Sequence, residues 1–193
     1  MQHHFFAMLS RMKYIFRWSL MRNTRTETVC EHTQEVTVIA HALALLHNKR
    51  FGGTVDVSRC VLLSIYHDVP EILTGDLPTP VKYNDAAIRD EYRRIERLSA
   101  ERLLRQLPDD LEEEYRPLLL PDDANEEELR IVKAADKLSA LVKCIEELNA
   151  GNHEFQKARL STERAIRAMD LPAAACFMDE FLPSYKLTLD EQG

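Results

Sequence analysis

The chain has 193 residues, a length that fits one medium-sized domain with a substantial core. Apolar residues make up 45% of the sequence and charged residues 30%, which are the proportions of an ordinary globular protein. The formal net charge of −7 argues against a general nucleic-acid-binding surface, which needs a basic face, so we expect no nucleic-acid polymer as partner. Only 5 glycines are present, below the usual share of about 7%, and this composition favours helices joined by short loops.

The N-terminal stretch HHFFAMLSRMKYIFRW has apolar residues at helical spacing, and we predict an amphipathic helix that packs on the domain. Arg11, Lys13 and Arg17 interrupt it, so it lacks the apolar core of a signal peptide. No apolar run approaches the roughly 18 residues of a membrane span. The 4 cysteines are far apart and form no CxxC pair, which favours free thiols in a reducing compartment. We therefore expect a cytoplasmic protein that does not enter a membrane.

Helices are predicted along the rest of the chain. Thr28 and Glu31 have the spacing of a capping box, Asn125 is a second N-terminal cap signal, and Gly151 suits a helix end. The predicted helices cover about 28–47, 57–66, 85–107, 125–151, 154–169 and 172–182. No stretch alternates with period two for long enough to suggest a sheet, and no internal repeat is present. We predict a single all-α domain over residues 1–193.

Asp136 is unusual within the helix predicted to start at Asn125. That helix carries apolar residues on two sides, which is usual for a helix in the centre of a fold. An aspartate in such a helix needs a partner, because an isolated buried charge is costly. The partner is either a lysine in the same helix, Lys133 or Lys143, or a group that belongs to a functional site.

The segment SIYHDVPEILTGDLPTP places His67, Asp68 and Glu71 at the end of an apolar run. His32 lies in the first turn of the helix that the capping box begins. His32, His67, Asp68 and Asp136 together supply two imidazoles and two carboxylates, each on a predicted helix. That set suits a divalent transition metal such as Mn, Co, Fe or Zn. Spacing alone is weak support, since the three pieces are far apart in the sequence.

In their order along the chain, these residues resemble the HD-domain phosphohydrolases, and in detail the bacterial HD-domain 5′-deoxynucleotidases of the YfbR-like type. The segments that carry the resemblance are HFFAMLSRMKYIFRWSLMRNTRTETVCEH, FGG, HDVPEILTGDLPTPVKY and CIEELNAGNHEF. The resemblance extends from about His4 to FLPSYKLTLDE, nearly the whole chain. It implies an all-α HD-domain helical bundle. It also implies that the protein is a cytoplasmic homodimer and that it uses a divalent metal such as cobalt or manganese. It further implies hydrolysis of deoxyribonucleoside 5′-monophosphates to deoxynucleoside and phosphate.

The resemblance also implies a role for each site residue. The metal ligands are then His32, His67, Asp68 and Asp136. The substrate contacts are then Arg17, Trp18, His32, Asp68, Asp76, Leu77, Pro78, Thr79 and Asp136. The catalytic residues are then Glu71, Asp68 and Arg17.

These roles agree with the chemistry of the side chains. Arg17 offers planar, permanently charged donors to phosphate oxygens. Glu71 suits the orientation of a water or the handling of a proton near the leaving 5′ oxygen. Asp76 suits a hydrogen bond from a sugar hydroxyl. Trp18 supplies an apolar wall, from which we expect a preference for deoxyribose over ribose of about 10².

Pro70 departs from the family pattern, in which a helical residue such as alanine is usual. Proline disfavours the α conformation at Val69 and removes a backbone donor. We therefore expect a kink just after Asp68, which affects the position of Glu71.

Two alternative functions share part of this pattern. Another HD-type phosphohydrolase, acting on a cyclic nucleotide or a nucleoside triphosphate, has the same metal ligands. A non-enzymatic helical protein with a structural metal is the second alternative, although it has no reason to place Glu71 and Arg17 near an open metal position. A substrate screen distinguishes the first alternative from a 5′-deoxynucleotidase, and a phosphatase assay with added metal distinguishes the second.

Overall fold

The computed structural model of the chain describes residues 2–82, 85–122 and 125–193, with the backbone alone at Thr79 and Pro80. Its helices are α1 (Phe5–Leu9), α2 (Val29–Arg50), α3 (Val57–Tyr66), α4 (Glu71–Thr74), α5 (Thr79–Lys82), α6 (Ala86–Leu104), α7 (Asp109–Leu119), α8 (Glu126–Asn149), α9 (Gln156–Arg167) and α10 (Pro172–Glu180). Short 3-10 turns cover Ser10–Tyr14, His153–Phe155, Leu182–Lys186 and Leu189–Glu191. Within the described ranges no strand forms, so the all-α class is confirmed. None of the helices in these ranges has the length and hydrophobicity needed to cross a lipid bilayer.

The chain folds into two compact units, each with its own apolar core. Unit 1 contains Met1–Met21, Thr26–Gln34 and Ile65–Asn125. Unit 2 contains Arg22–Arg25, Glu35–Ser64 and Glu126–Gly193. The expectation of a single domain over residues 1–193 stays a prediction.

The core of unit 1 is the support on which the candidate site is built. Its buried side chains are Phe5, Met12, Val29, Val69, Ala100, Leu103, Leu104, Leu107 and Leu119. Five of these, Val29 and Val69 among them, are inaccessible to solvent. Val29 begins α2 one turn before His32, and Val69 directly follows Asp68. Burial of these two valines therefore fixes the segments that carry His32 and Asp68.

Helix α8 organises unit 2 around a buried ion pair. Its apolar side chains pack with those of α2, α9 and α10 in one core. Lys143 pairs with Glu147 one turn later and also donates to the Arg25 carbonyl. The Glu147 carboxylate accepts from the Thr24 amide at 2.9 Å and the Thr24 hydroxyl at 2.8 Å. Lys143, one of the two lysines considered as a partner for Asp136, therefore has Glu147 as its ion-pair partner.

The predicted N-terminal helix is correct only as far as Tyr14. Helix α1 is followed directly by the 3-10 turn, after which Ile15 is extended with φ −102° and ψ 117°. Phe16 is 54% exposed and forms an isolated antiparallel β-bridge with Thr28. Main-chain pairing with the segment before α2 therefore replaces further helical turns in this stretch.

The remaining helix predictions agree closely with the structure, but three helices, the short α4 and α5 and the longer α7, were not predicted. Helix α3 has the predicted bounds, α6 starts after Asp85 as predicted, and Gly151 follows α8 with a left-handed φ of +83°. The sequence analysis missed α7, which contains Pro117. The cysteines are free thiols, as expected.

Candidate active site

His32, His67 and Asp68 come together in unit 1. The three residues offer ligand atoms that all lie within 4.8 Å of one another. Asp68 Oδ2 is 3.1 Å from His67 Nε2 and 3.6 Å from His32 Nε2. His32 is inaccessible to solvent, and the other two are partly buried. Two imidazole nitrogens and a carboxylate that converge in this way are a donor set for a divalent transition metal.

The predicted capping box positions His32. The Glu31 carboxylate accepts from the Thr28 amide at 2.8 Å, and the Thr28 hydroxyl accepts from the Glu31 amide at 3.2 Å. The His32 amide donates to the Thr28 carbonyl at 3.0 Å. This reciprocal cap fixes the first turn of α2, and with it the imidazole.

His67 and Asp68 lie in a turn, where the sequence analysis had placed them on a helix. Helix α3 ends at Tyr66, and α4 begins at Glu71 after Pro70 with φ −55° and ψ −27°. Two main-chain hydrogen bonds close the turn. The Val69 amide donates to the Tyr66 carbonyl at 3.3 Å, and the Glu71 amide donates to the Asp68 carbonyl at 3.0 Å. The break expected at Pro70 is therefore present, but it begins two residues earlier than expected.

The charges around Asp68 keep it ionised. Burial alone raises the pKa of a carboxyl group, but His67, His32 and Arg17 outweigh it and hold the pKa of Asp68 well below its usual range. Arg17 Nη1 lies 3.4 Å from Asp68 Oδ2. Asp68 thus presents a carboxylate, which is the form that binds a metal.

Glu71 and Asp76 are driven in the opposite direction. Burial, together with the charges of Asp68 and Asp76, raises the pKa of Glu71 to about 10 against the opposing charges of Arg17 and Lys82. Burial also raises the pKa of Asp76, partly offset by Arg17. Glu71 is only 7% exposed. Three carboxyl groups thus share a partly buried region of unit 1, which is an environment that a bound cation would stabilise.

Arg17 and Trp18 are held by an acidic residue that the sequence analysis missed. Oε2 of Glu27 accepts from Arg17 Nε at 3.2 Å and from Trp18 Nε1 at 3.0 Å. Trp18 has a left-handed φ of 58°, and its backbone hydrogen bonds to Asp76. Nothing in the sequence distinguishes Glu27 from a solvated charge, since it simply precedes the capping threonine.

A second layer of polar contacts supports the loop that carries Asp76. Gly75 has φ +72°, a conformation that favours glycine, and its carbonyl accepts from the Tyr92 hydroxyl at 3.1 Å. Lys82 pairs with Glu96 at 2.8 Å, and its ammonium lies 4.7 Å from the centre of the Tyr92 ring. Helix α6 therefore anchors the start of this loop and the end of the short helix α5 that follows it.

The other predicted site residues have different outcomes. Leu77 and Pro78 are partly buried in the loop between α4 and α5. Thr79 begins α5, and its side chain lies outside the described residues. Asp136 lies in α8 of unit 2 and is partly buried. The roles assigned to these four residues stay predictions.

Solved structures confirm the fold. An HD-domain phosphohydrolase from Listeria innocua matches with a TM-score of 0.82 and 24% identity, covering 94% of this chain and 88% of that one. The cyanophage S-2L HD phosphohydrolase DatZ, described as bound to dA and one catalytic Zn²⁺ ion, matches with a TM-score of 0.65 and 20% identity. That match covers 94% of this chain and 96% of DatZ. The helical arrangement is therefore that of the HD domain.

Sequence comparison identifies the family within this fold. The family model for 5′-deoxynucleotidase YfbR-like proteins matches residues 4–185. The 5′-deoxynucleotidase of Photorhabdus temperata is 49% identical over 188 residues, which are 97% of this chain and 95% of that protein. The 5′-deoxynucleotidase of Vibrio cholerae is 48% identical over 188 residues, covering 97% of each protein. With a family model that matches residues 4–185, relatives that are 48–49% identical over 97% of the chain, and the HD-domain fold, the chain belongs to the YfbR-like 5′-deoxynucleotidase family.

Proposed function

We propose that this protein is a metal-dependent 5′-deoxynucleotidase, which hydrolyses deoxyribonucleoside 5′-monophosphates to deoxynucleosides and phosphate. The observation that carries the proposal is the cluster of His32, His67 and Asp68 with Arg17 beside the same carboxylate. It occurs in a chain that is 48–49% identical to proteins named 5′-deoxynucleotidases.

The donor set of the cluster fits a divalent metal. His32, His67 and Asp68 would hold it, with Asp136 of α8 as the fourth ligand and cobalt or manganese as the ion. When bound, such a metal lowers the pKa of a coordinated water and polarises a phosphate oxygen. The fit rests on convergent nitrogen and oxygen donors and on the ionised state of Asp68.

The remaining residues bind the substrate and manage protons. Arg17 directs its Nη1 toward the cluster and binds phosphate oxygens there. Glu71 has a pKa raised to about 10 by burial and the charges of Asp68 and Asp76, so it holds a proton at neutral pH that the leaving 5′ oxygen can take. Trp18 forms a wall beside the sugar, and Asp76 accepts from a sugar hydroxyl. Leu77, Pro78 and Thr79 complete the loop against the nucleoside.

We also propose that the enzyme acts as a homodimer in the cytoplasm, on free nucleotides. The family resemblance supports this proposal, as does the acidic net charge of −7, which is unsuited to a nucleic-acid polymer. Sedimentation of the purified protein across a range of concentrations tests the dimer directly.

A phosphate-release assay tests the activity. Metal-free protein is supplied in turn with cobalt, manganese and zinc, and presented with the deoxyribonucleoside monophosphates and the matching ribonucleotides. We expect release only with metal, and a preference for the deoxy forms of about 10² because an apolar wall rejects an added hydroxyl by roughly that factor. Cyclic nucleotides and nucleoside triphosphates serve as controls. Full release without metal, or faster turnover of a control substrate, would contradict the proposal.

Asp136→Asn tests the fourth ligand. Asparagine nearly preserves the shape of the side chain but loses its charge, so we expect a lower metal content, by about 10-fold or more in affinity, in a folded protein. Elemental analysis after dialysis measures it. Asp179→Asn, an exposed change on α10, is the matched control and should leave the metal content unaltered. If the two variants retain metal equally, Asp136 is not a ligand.

A further inference from the structure

One carboxylate oxygen connects the two residues proposed to meet phosphate and sugar. Arg17 Nε and Trp18 Nε1 both donate to Oε2 of Glu27, at 3.2 Å and 3.0 Å. The Glu27 side chain is 13% exposed, so this charge-assisted pair is largely shielded from water. Two donors that share one acceptor have fixed positions relative to each other, and the acceptor sets the distance between guanidinium and indole.

The main chain reinforces the same contact. The Arg17 amide donates to the Glu27 carbonyl at 2.9 Å, next to the β-bridge between Phe16 and Thr28. Trp18, the residue after Arg17, has φ 58°, which is uncommon for a bulky side chain. Such a conformation persists only where the surroundings determine it from several sides. Glu27 supplies two of these restraints, one through the neighbouring peptide and one through the indole.

The orientation of Arg17 follows from the side on which Glu27 holds it. With Nε engaged by Glu27, Nη1 lies on the edge of the planar guanidinium that faces away from that carboxylate. This Nη1 lies 3.4 Å from Asp68 Oδ2. The guanidinium therefore presents its terminal edge to the ligand cluster formed by His32, His67 and Asp68.

We propose that Glu27 is a positioning residue, which aims Arg17 at the phosphate and holds Trp18 at the sugar. The inference rests on the proposed function and deepens it, because it explains how the substrate-binding groups are set before the substrate arrives. Preorganised donors avoid reorganisation during the reaction, and a misplacement of about 1 Å can lower a rate by as much as 10²-fold.

The first experiment compares Glu27→Gln with a matched control. Glutamine keeps the size of the side chain and removes the charge that pairs with Arg17. We expect kcat/KM for deoxyribonucleoside monophosphates to fall by about 10- to 10²-fold with metal content unchanged. Glu91→Gln removes an exposed carboxylate that pairs with Arg94 on α6, and it should leave kcat/KM unaltered. Glutamine is preferred to alanine at this position because the full truncation Glu27→Ala carries a greater risk of unfolding the protein.

A double-mutant cycle separates positioning from a purely structural effect. If Glu27 acts through Arg17, the change Glu27→Gln should cost little more once Arg17→Ala has been made. A carboxylate that only stabilises the fold would lower the midpoint of unfolding and leave kcat/KM of the folded enzyme intact. Losses that add independently in the double variant would overturn the proposal.

A spectroscopic readout tests the contact without turnover. Trp18 is the only tryptophan of the chain, so the intrinsic emission reports its indole alone. Glu27→Gln should shift this emission in metal-free protein, and Glu91→Gln should not. Titration with inorganic phosphate should perturb the emission less in Glu27→Gln than in the wild-type protein.

The outcomes distinguish this inference from the proposed function. If the wild-type protein releases no phosphate from any deoxyribonucleoside monophosphate, the proposed function fails, while the emission of Trp18 still decides whether Glu27 holds the indole. If the wild-type protein is active and Glu27→Gln stays within about twofold of it in kcat/KM, the positioning role is wrong.

Discussion

At the scale of single residues, the site separates its carboxyl groups by protonation state. The environment of Asp68 favours the carboxylate, whereas burial and like charges raise the pKa of Glu71 to about 10. When environments shift two nearby acids in opposite directions, one becomes the charged group and the other the proton carrier. A separation of only three positions along the chain is thus enough to give Asp68 and Glu71 opposite tasks.

Glu71→Gln should stabilise the metal-free protein at neutral and higher pH. The pKa of Glu71 is about 10 in the folded protein, against an ordinary value near 4.5 in the unfolded chain. Between these values the folded state binds the extra proton, so its contribution to stability is present below pH 4.5 and is lost as the pH rises toward 10. The advantage of the variant should grow over this window by at most about 1.4 kcal/mol per pH unit. Urea unfolding of both proteins from pH 4 to 9 measures the difference.

The same variant tests catalysis in the metal-loaded enzyme. Loss of a proton-transfer group should lower kcat by about 10² to 10⁴ while the metal content stays the same. Glu114→Gln, an exposed change on α7, is the control for both measurements. A pH-independent stability difference would show that Glu71 is ionised in the native state, and a fall of only a few-fold in kcat would assign proton transfer to Asp68.

The sequence allowed prediction of the residues with distinctive chemistry, but it did not reveal Glu27, whose proposed role is to position other side chains. His32, His67 and Asp68 were predicted because imidazoles and carboxylates near apolar runs are unusual and because their order resembles that of the HD-domain phosphohydrolases, and the structure brings them together. Glu27 was not predicted, since its partners Arg17 and Trp18 meet it across a β-bridge that no periodicity indicates.

At the scale of elements, helix signals were reliable where caps and apolar periodicity agreed. The capping box at Thr28 and the N-cap at Asp85 mark helix starts that the structure contains. Helix α7 was not predicted, and it contains Pro117 in its last part. Ile15 also carries a helical pattern, but tertiary pairing makes it extended. Helix propensity depends on neighbouring residues alone, so it does not predict pairing with a segment about ten residues further along the chain.

Thr28→Ala should destabilise the protein and weaken metal binding together. Removal of an N-cap side chain costs about 0.5–2 kcal/mol, and here the first turn of α2 also carries His32. The matched control is Thr188→Ala, which removes a capping box of the same chemistry from the exposed 3-10 turn Leu189–Glu191. Urea unfolding and metal titration measure the two effects. Equal metal affinity in both variants would show that the cap does not position His32.

At the scale of the whole molecule, a metal would join segments that are distant in sequence. His32 belongs to Thr26–Gln34, whereas His67 and Asp68 belong to Ile65–Asn125, and all three lie in unit 1. A ligand that binds only the folded state adds stability according to its concentration and affinity, about 2.7 kcal/mol at 100 times its Kd. Metal binding and folding of this unit should therefore be linked.

Chelation should lower the Tm of the protein as well as abolish phosphate release. Addition of manganese or cobalt to the chelated protein should restore both, and the Tm should rise with metal concentration. His67→Ala is the control, because a protein without this ligand should show little response to metal. A Tm that does not respond to metal at concentrations that restore activity would separate catalysis from the stability of the fold.

The alternation of the two units along the chain has a consequence for biosynthesis. Residues Arg22–Arg25 and Glu35–Ser64 leave the ribosome early, but their unit is complete only when Glu126–Gly193 has been made. At about 5–20 residues per second, the delay is on the order of ten seconds. During this time the apolar side chains of α2 that pack with α8 lack their native partners. Unit 1 has all its segments once Asn125 has been made, whereas the early segments of unit 2 must wait for Glu126–Gly193, and the interval before α8 emerges is when protection by a chaperone matters most.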